Sequence, residues 1–190
     1  MITEKLRRMF PRYSQLTDWN QASELARDIR DLFVALFFGI DEIENRVVVL
    51  ETQPRVEMYM LDNTTALTLT TQNTWYPVVA NWVAGESVQA VVATTAGTIA
   101  MRVDTAIRAL AALSLNFSAI GVYELAFFVD GVQEAKSRIK LDGTTAVVNT
   151  LVTCVLNATA GQSIDLRARC TSAAGLTVTV RNANFSLARI

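Results

Sequence analysis

Apolar residues recur at 4-3-4-3 spacing from Trp19 to Leu50. Trp19, Ala26, Phe33, Ile40 and Val47 fall on a positions; Ala22, Ile29, Leu36, Ile43 and Leu50 fall on d positions. The register runs without a slip, as in a coiled-coil seam rather than a helix lying on its own globular core. Ile or Val at several a sites, mixed Ile and Leu at d, and no Asn or Lys in the seam favour three strands over two. Ile29, Phe33, Leu36, Ile40, Ile43, Val47 and Leu50 are the expected trimerisation residues. Asp18 with Gln21 forms a relaxed capping box, with Thr17 as an alternative N-cap. Pro54 stops the helix by Gln53, because a residue before proline is pushed to extended geometry. A helix over 19–50 is about 48 Å long.

After Pro54 the period changes to two. Val56, Met58 and Met60 alternate with Glu57, Tyr59 and Leu61, and Asn63 to Thr71 is β-prone and turn-bounded. Residues 54–72 are expected to form an extended neck, open to pairing between subunits. Strands are expected at 74–83, 87–93, 97–103, 106–118, 121–130, 134–141, 146–157, 163–171 and 175–189, punctuated by glycines as a β-sandwich requires. Asp130-Gly131 is the clearest hairpin turn. Thr105 to Ala112 has a helical composition, but its continuation Ser-Leu-Asn-Phe-Ser favours a strand.

Several strands have one wet face. Ile164, Leu166, Ala168 and Cys170 alternate with Asp165, Arg167 and Arg169. Others are apolar on both sides, notably Val147 to Leu156 and Gly121 to Val129. A two-layer sandwich buries one face of each sheet, so a second apolar face calls for a neighbouring subunit. Val122, Ala126, Phe128, Val147 and Leu151 are the resulting candidates for a subunit interface.

One heptad is apolar beyond its seam. In Phe33-Val34-Ala35-Leu36-Phe37-Phe38-Gly39 the b, c, e and f positions are apolar too, while neighbouring heptads carry charge. Val34, Phe37 and Phe38 want a further surface. Either the N-terminal segment folds back on them or they dock the oligomer into a larger assembly. Residues 1–16 place Lys5, Arg7, Arg8 and Arg12 around Leu6, Met9 and Phe10 before Pro11 breaks the pattern. This segment reads equally as a frayed terminus or as a peg. Lys5, Arg7, Arg8, Val34, Phe37 and Phe38 form the candidate anchoring set.

Composition removes several functions. The 190 residues are 51% hydrophobic with a net charge of −1. Basic and acidic groups balance on both sides of residue 55, so the basic excess that phosphate binding needs is missing and nucleic acid is not an expected partner. The longest apolar run, Leu32 to Ile40, is far short of the roughly 20 residues of a membrane span, so no membrane insertion is expected. The N-terminus lacks the apolar core of a signal peptide, which suggests assembly in a cytoplasm. In that compartment Cys154 and Cys170 read as free buried thiols rather than a disulfide. The sequons at Asn63, Asn116, Asn157 and Asn184 read as polar strand and turn residues.

The chain has no histidine, which removes imidazole-activated nucleophiles and imidazole metal ligation. No phosphate-binding glycine loop, GxSxG or CxxC occurs. Asp130 with Asp142 or Glu134 reads as turn chemistry rather than an acid/base dyad. No cofactor, catalytic residue or metal ligand is assigned, although a metal on a threefold axis would leave no local motif. Trp75, Tyr76 and Trp82 read as packing residues rather than a glycan platform.

Residues 73–190 resemble the TNF/C1q-like jelly roll in the form carried by bacteriophage virion proteins. The matching stretches are Asn-Thr-Trp-Tyr-Pro-Val (73–78), Ala-Leu-Ser-Leu-Asn-Phe-Ser (112–118), Tyr-Glu-Leu-Ala-Phe-Phe-Val-Asp-Gly (123–131), residues 156–169, and the final strand 182–190. Gln162 stands where that family often has an acidic residue. The resemblance implies a mainly β fold: a two-sheet antiparallel jelly-roll sandwich forming tight trimers through one sandwich face, here behind a long N-terminal α-helix in a trimeric coiled coil. The expected layout is an anchoring segment (1–16), a coiled-coil helix (17–53), a neck (54–72) and a knob (73–190). The implied function is a non-enzymatic homotrimeric virion protein, a capsid decoration or head fibre, with other capsid or tail proteins as partners. The alternative is a tail-tip protein that recognises a host surface glycan or protein. A cellular TNF/C1q-like ligand fits less well without a signal sequence or a collagen-like Gly-X-Y run.

Overall fold

The computed structural model describes residues 27, 29–31, 33–34, 53–79, 81–144 and 146–190. The chain divides into two compact units, Met1–Glu51 and Thr52–Ile190. In the first, Arg27, Ile29, Arg30, Asp31, Phe33 and Val34 are helical, as the heptad spacing predicts. Ile29 is half-buried, while Phe33 is 57% and Val34 45% exposed. Leu36, Ile40, Ile43, Val47 and Leu50 of the seam lie outside the described residues. So do Lys5, Arg7, Arg8, Phe37 and Phe38 of the anchoring set.

The second unit contains thirteen described strands. They are β1 (Arg55–Met60), β2 (Leu67–Leu69), β3 (Tyr76–Pro77), β4 (Val83–Val88), β5 (Ala90–Ala93), β6 (Thr98–Met101), β7 (Thr105–Phe117), β8 (Gly121–Val129), β9 (Val132–Gln133), β10 (Ile139–Gly143), β11 (Val148–Ala158), β12 (Ser163–Cys170) and β13 (Leu176–Arg189). Sheet one has the order β11-β7-β13-β1-β4, with β2 also on β13. Sheet two has the order β10-β8-β12-β6-β5, with β3 on β12 and β9 on β8. All pairings among the described strands are antiparallel. The crossovers between sheets make this a jelly-roll sandwich.

Alternation places the core between the sheets. Ile107, Ala109, Ala111, Leu113, Leu115 and Phe117 line the inner side of β7, and Ile164, Leu166, Ala168 and Cys170 that of β12. Phe127 of sheet two stacks on Phe185 of sheet one, ring centroids 5.2 Å apart, and both are fully buried. Each such side chain contributes roughly 1.5–3 kcal/mol through burial. The stretch 105–112 is strand, because its alternate apolar positions face this core.

Three segments depart from the expected layout. The stretch placed in a neck is integral to the sandwich: β1 lies between β13 and β4, with Met58 and Met60 fully buried. Its period-two pattern is that of a central strand. The strand expected at 74–83 shrinks to Tyr76–Pro77. Pro77 has no N–H to donate, Asn81 has φ +57°, and Trp82 turns inward so that its Nε1 donates to the Val78 carbonyl at 2.7 Å. The strand expected at 134–141 begins instead as a 3-10 turn, Ala135–Ser137. There Ser137 Oγ accepts the Phe127 N–H at 2.8 Å and donates to the Glu134 carbonyl at 2.7 Å, filling a gap in the β8 ladder. The Asp130-Gly131 turn forms as read, with φ +47° and +79° and Val129 paired to Val132.

Candidate subunit interface

The two sheets present two outward faces, and the chain treats them differently. On sheet two, Glu124, Ala126 and Phe128 of β8 point away from the core, opposite Arg169, Arg167 and Asp165 of β12. Ala126 is fully buried, and Phe128 and Asp165 are 4% and 3% exposed. Trp75, just ahead of β3, meets Phe128 edge-on at 5.3 Å. The Arg167 guanidinium lies 4.4 Å over the Phe128 ring, and that of Arg169 lies 4.6 Å over Trp75. Each arginine also holds a carboxylate: Arg167 Nε donates to Asp165 at 2.6 Å, and Arg169 Nε to Glu124 at 2.7 Å. Stacked guanidinium planes thus shield the rings while their donors neutralise the acids. The β8–β12 part of this face is covered from within the chain.

On sheet one the outward face is open. The pairing sets rows across it. One runs Leu151–Ala112–Asn184–Tyr59–Val83. The next runs Thr153–Leu110–Ser186–Glu57, and a third Val155–Arg108–Ala188–Arg55–Val88. Leu151, Val155 and Val83 are 51%, 52% and 46% exposed. At one end Arg55 pairs with Glu86 at 2.6 Å. That bond holds the Glu86 carboxyl below its ordinary range. Towards β11 the other two rows carry small, apolar and amide side chains, while Glu57 and Tyr59 stand at their β1 ends. At β11, this face also meets an open sheet edge, since β11 pairs only with β7 among the described strands.

The candidate interface residues therefore do not form one patch. Leu151 stands on the open face. Ala126 and Phe128 belong to the sealed face, where Trp75 and Arg167 supply the cover that the sequence reading assigns to a neighbour. Val122 is half-buried on the same strand, and Val147 is 57% exposed in the connection before β11. The open face adds Tyr59, Val83, Leu110, Ala112 and Val155, which the sequence reading did not single out. Their signal was the alternation Leu151-Thr153-Val155 against Val152-Cys154-Leu156.

Chemistry is sparse. Cys154 and Cys170 are free and buried on the inner faces. Burial, reinforced by the negative charge of Glu134, pushes the Cys154 thiol up to about 11. Among the described residues no three Cys, Asp or Glu side chains gather in a group able to hold a metal ion.

No protein-family model matches the chain, and no curated protein matches its sequence. Solved structures do match in fold. Eiger, a TNF from S. frugiperda, superposes with a TM-score of 0.51 at 10% identity, over 73% of this chain and 94% of that one. Murine APRIL at pH 5.0 gives 0.50 at 10% identity, over 72% of this chain and 99% of that one. The fold is a TNF-like jelly roll. At such identities the likeness concerns the path of the backbone, and the open and sealed faces are properties of this chain's own side chains.

Proposed function

We propose that the chain is a non-enzymatic homotrimeric structural protein of a phage virion, anchored through its N-terminal helix and displaying the β-sandwich as a capsid decoration or head fibre. The observation that carries the trimer is the open face of sheet one. Its Leu110, Ala112, Leu151 and Val155 form an apolar patch on a chain that buries the corresponding patch of its other sheet. A second copy covers it, because exposed contiguous apolar surface on a soluble domain marks a contact site. The heptad seam supplies the same symmetry independently, with Phe33 exposed on the described part of the helix. The resemblance to virion knobs and the apolar heptad around Phe37 and Phe38 support the anchoring role. The absence of histidine supports a structural rather than catalytic role.

Light scattering on the full chain tests the oligomer: the mass is about three times 20.9 kDa, and a monomer overturns the reading. Sedimentation of phage particles from the lysate in which the chain is made tests the location. The full chain travels with the particles, and a chain lacking residues 1–40 stays in the supernatant. A full chain left in the supernatant, or a truncated chain that still pellets, removes the anchoring role.

A further inference from the structure

The open face of sheet one carries two ionic side chains that its own chain leaves unpaired. Arg108 points outward from β7 and is exposed. Glu57 points outward from β1 and is half-buried. Neither side chain has a hydrogen-bond or ion-pair partner among the described residues. A carboxylate that has lost part of its water and gained no partner favours the approach of a cation or donor.

Glu57 lines a groove of about 190 Å³ together with Arg55, Glu86 and Ser186. The groove follows from a bulge at the sheet edge. Val56 pairs with Ser87 but Met58 with Ala84, so Gly85 and Glu86 of β4 face the single residue Glu57. Bulges of this kind bend a strand and re-aim its neighbours' side chains. Gly85 leaves the room: a Cβ there would lie 2.5 Å from Glu57 Cγ and 2.7 Å from Glu57 Oε1. The Glu57 side chain therefore lies over β4, on the side away from β7. Ser186, directly across the ladder on β13, sets a hydroxyl beside it. The groove's own guanidinium, that of Arg55, holds Glu86 at 2.6 Å.

Arg108 does not meet this carboxylate in its own chain. It stands opposite Ala188, which stands opposite Arg55. Two strand spacings and a step of two residues put the Arg108 and Glu57 backbones roughly 12 Å apart. A closed ring of three, however, joins one patch of each copy to a different patch of the next. Complementary groups set apart on one chain are what such a contact needs. Arg108 shares its row with the exposed Val155 on the β11 side, and the groove lies on the β4 side.

We propose that Arg108 of each copy enters the groove of the next and pairs there with Glu57. The planar guanidinium suits a carboxylate flanked by a hydroxyl acceptor. The inference rests on the trimer reading and gives it a direction, the β11 side of one copy on the β4 side of the next.

The full chain tests it. In the variant Arg108→Lys, a water-soluble carbodiimide can join the new amine to the Glu57 carboxylate only where the two touch. A tryptic peptide joining positions 57 and 108 is expected in the two-copy and three-copy bands of a denaturing gel, and not in the one-copy band. Light scattering over a dilution series then gives the concentration of half-dissociation. Glu57→Arg and Arg108→Glu each raise it about tenfold, because like charges then face each other. The double reversal Glu57→Arg/Arg108→Glu restores it to within about threefold of the unaltered chain. Arg138→Glu, which reverses an exposed cation just ahead of β10, leaves it unchanged. Far-UV circular dichroism confirms that each variant is folded. An unaltered chain that is a monomer overturns the trimer reading and this inference with it. A trimer in which positions 57 and 108 are not joined between copies, or in which the double reversal dissociates as readily as the single ones, overturns the ion pair alone.

Discussion

Replacing Phe128 by alanine and Leu151 by aspartate, separately, tests whether one outward face is sealed by the chain and the other by a neighbour. The material is residues 52–190, a compact unit of its own. Phe128 is 4% exposed and lies beneath Trp75 and Arg167. Truncating a buried phenylalanine costs roughly 3–5 kcal/mol. At about 2–4 °C per kcal/mol for a unit of this size, the midpoint falls by roughly 6–20 °C. The oligomer mass should not change while the protein is folded. Leu151 is already half exposed in the single chain. Its aspartate forfeits about 1 kcal/mol of further burial per copy. It also places a carboxylate in the contact, at a cost of several kcal/mol per copy. Repeated three times, this shifts the mass from trimer to monomer while the far-UV spectrum is kept. Light scattering and thermal circular dichroism read both quantities. The reasoning is refuted if the wild-type unit is a monomer, or if Phe128→Ala dissociates the trimer and leaves the midpoint in place.

Other consequences are more local. Ser137→Ala leaves the buried Phe127 N–H without an acceptor and should cost roughly 1–3 kcal/mol in urea unfolding; an unchanged midpoint would mean that the 3-10 turn is not held by this bond. Gly97→Ala introduces a side chain at φ +64° against the Val78 carbonyl, which already accepts the Trp82 Nε1–H, and should lower the urea midpoint more than Gly161→Ala, where φ is +89° but nothing lies within 4 Å. The Cys154 thiol keeps its proton in the folded state up to about pH 11, while in the unfolded chain it ionises near 9. Its contribution is therefore complete below pH 9 and lost as pH rises from 9 to 11, and Cys154→Ala should flatten that part of a stability–pH profile. Ellman's reagent at pH 8 should find both thiols slow in native protein and fast in urea.

The inner half of each strand was legible because it obeys a strict period. Ile164 to Cys170 and Leu176 to Val180 face the core as their alternation requires, and Asp130-Gly131 turns where two left-handed residues are needed. The outer half was not, because alternation tells which residues share a face but not what lies over it. Val122, Ala126 and Phe128 read as uncovered apolar surface, but Trp75 folds against Phe128. That contact joins positions more than fifty residues apart, and neither local pattern announces it. The neck failed for a related reason. Val56, Met58 and Met60 have the pattern of any half-buried strand, and only the pairing with β13 shows that this one is central.

The arginine pair on β12 bears on why the sandwich has one open face rather than two. An apolar residue pointing out of a sheet needs either a partner molecule or a cover, and a lone tryptophan is too small to cover two strands. Arg167 and Arg169 extend that cover, because a guanidinium lies flat on a ring while its edge remains free to bind a carboxylate. Their charges are met by Asp165 and Glu124 on the same face. Among the described residues sheet one has no equivalent over its central rows. Arg55 and Arg108 share one row near one end, and from there to Asn116 the outward positions of β7 are Leu110, Ala112 and Ser114. The same chain thus lays Trp75 against sheet two and leaves Leu151 and Val155 exposed on sheet one, where the proposed contact between copies would fall.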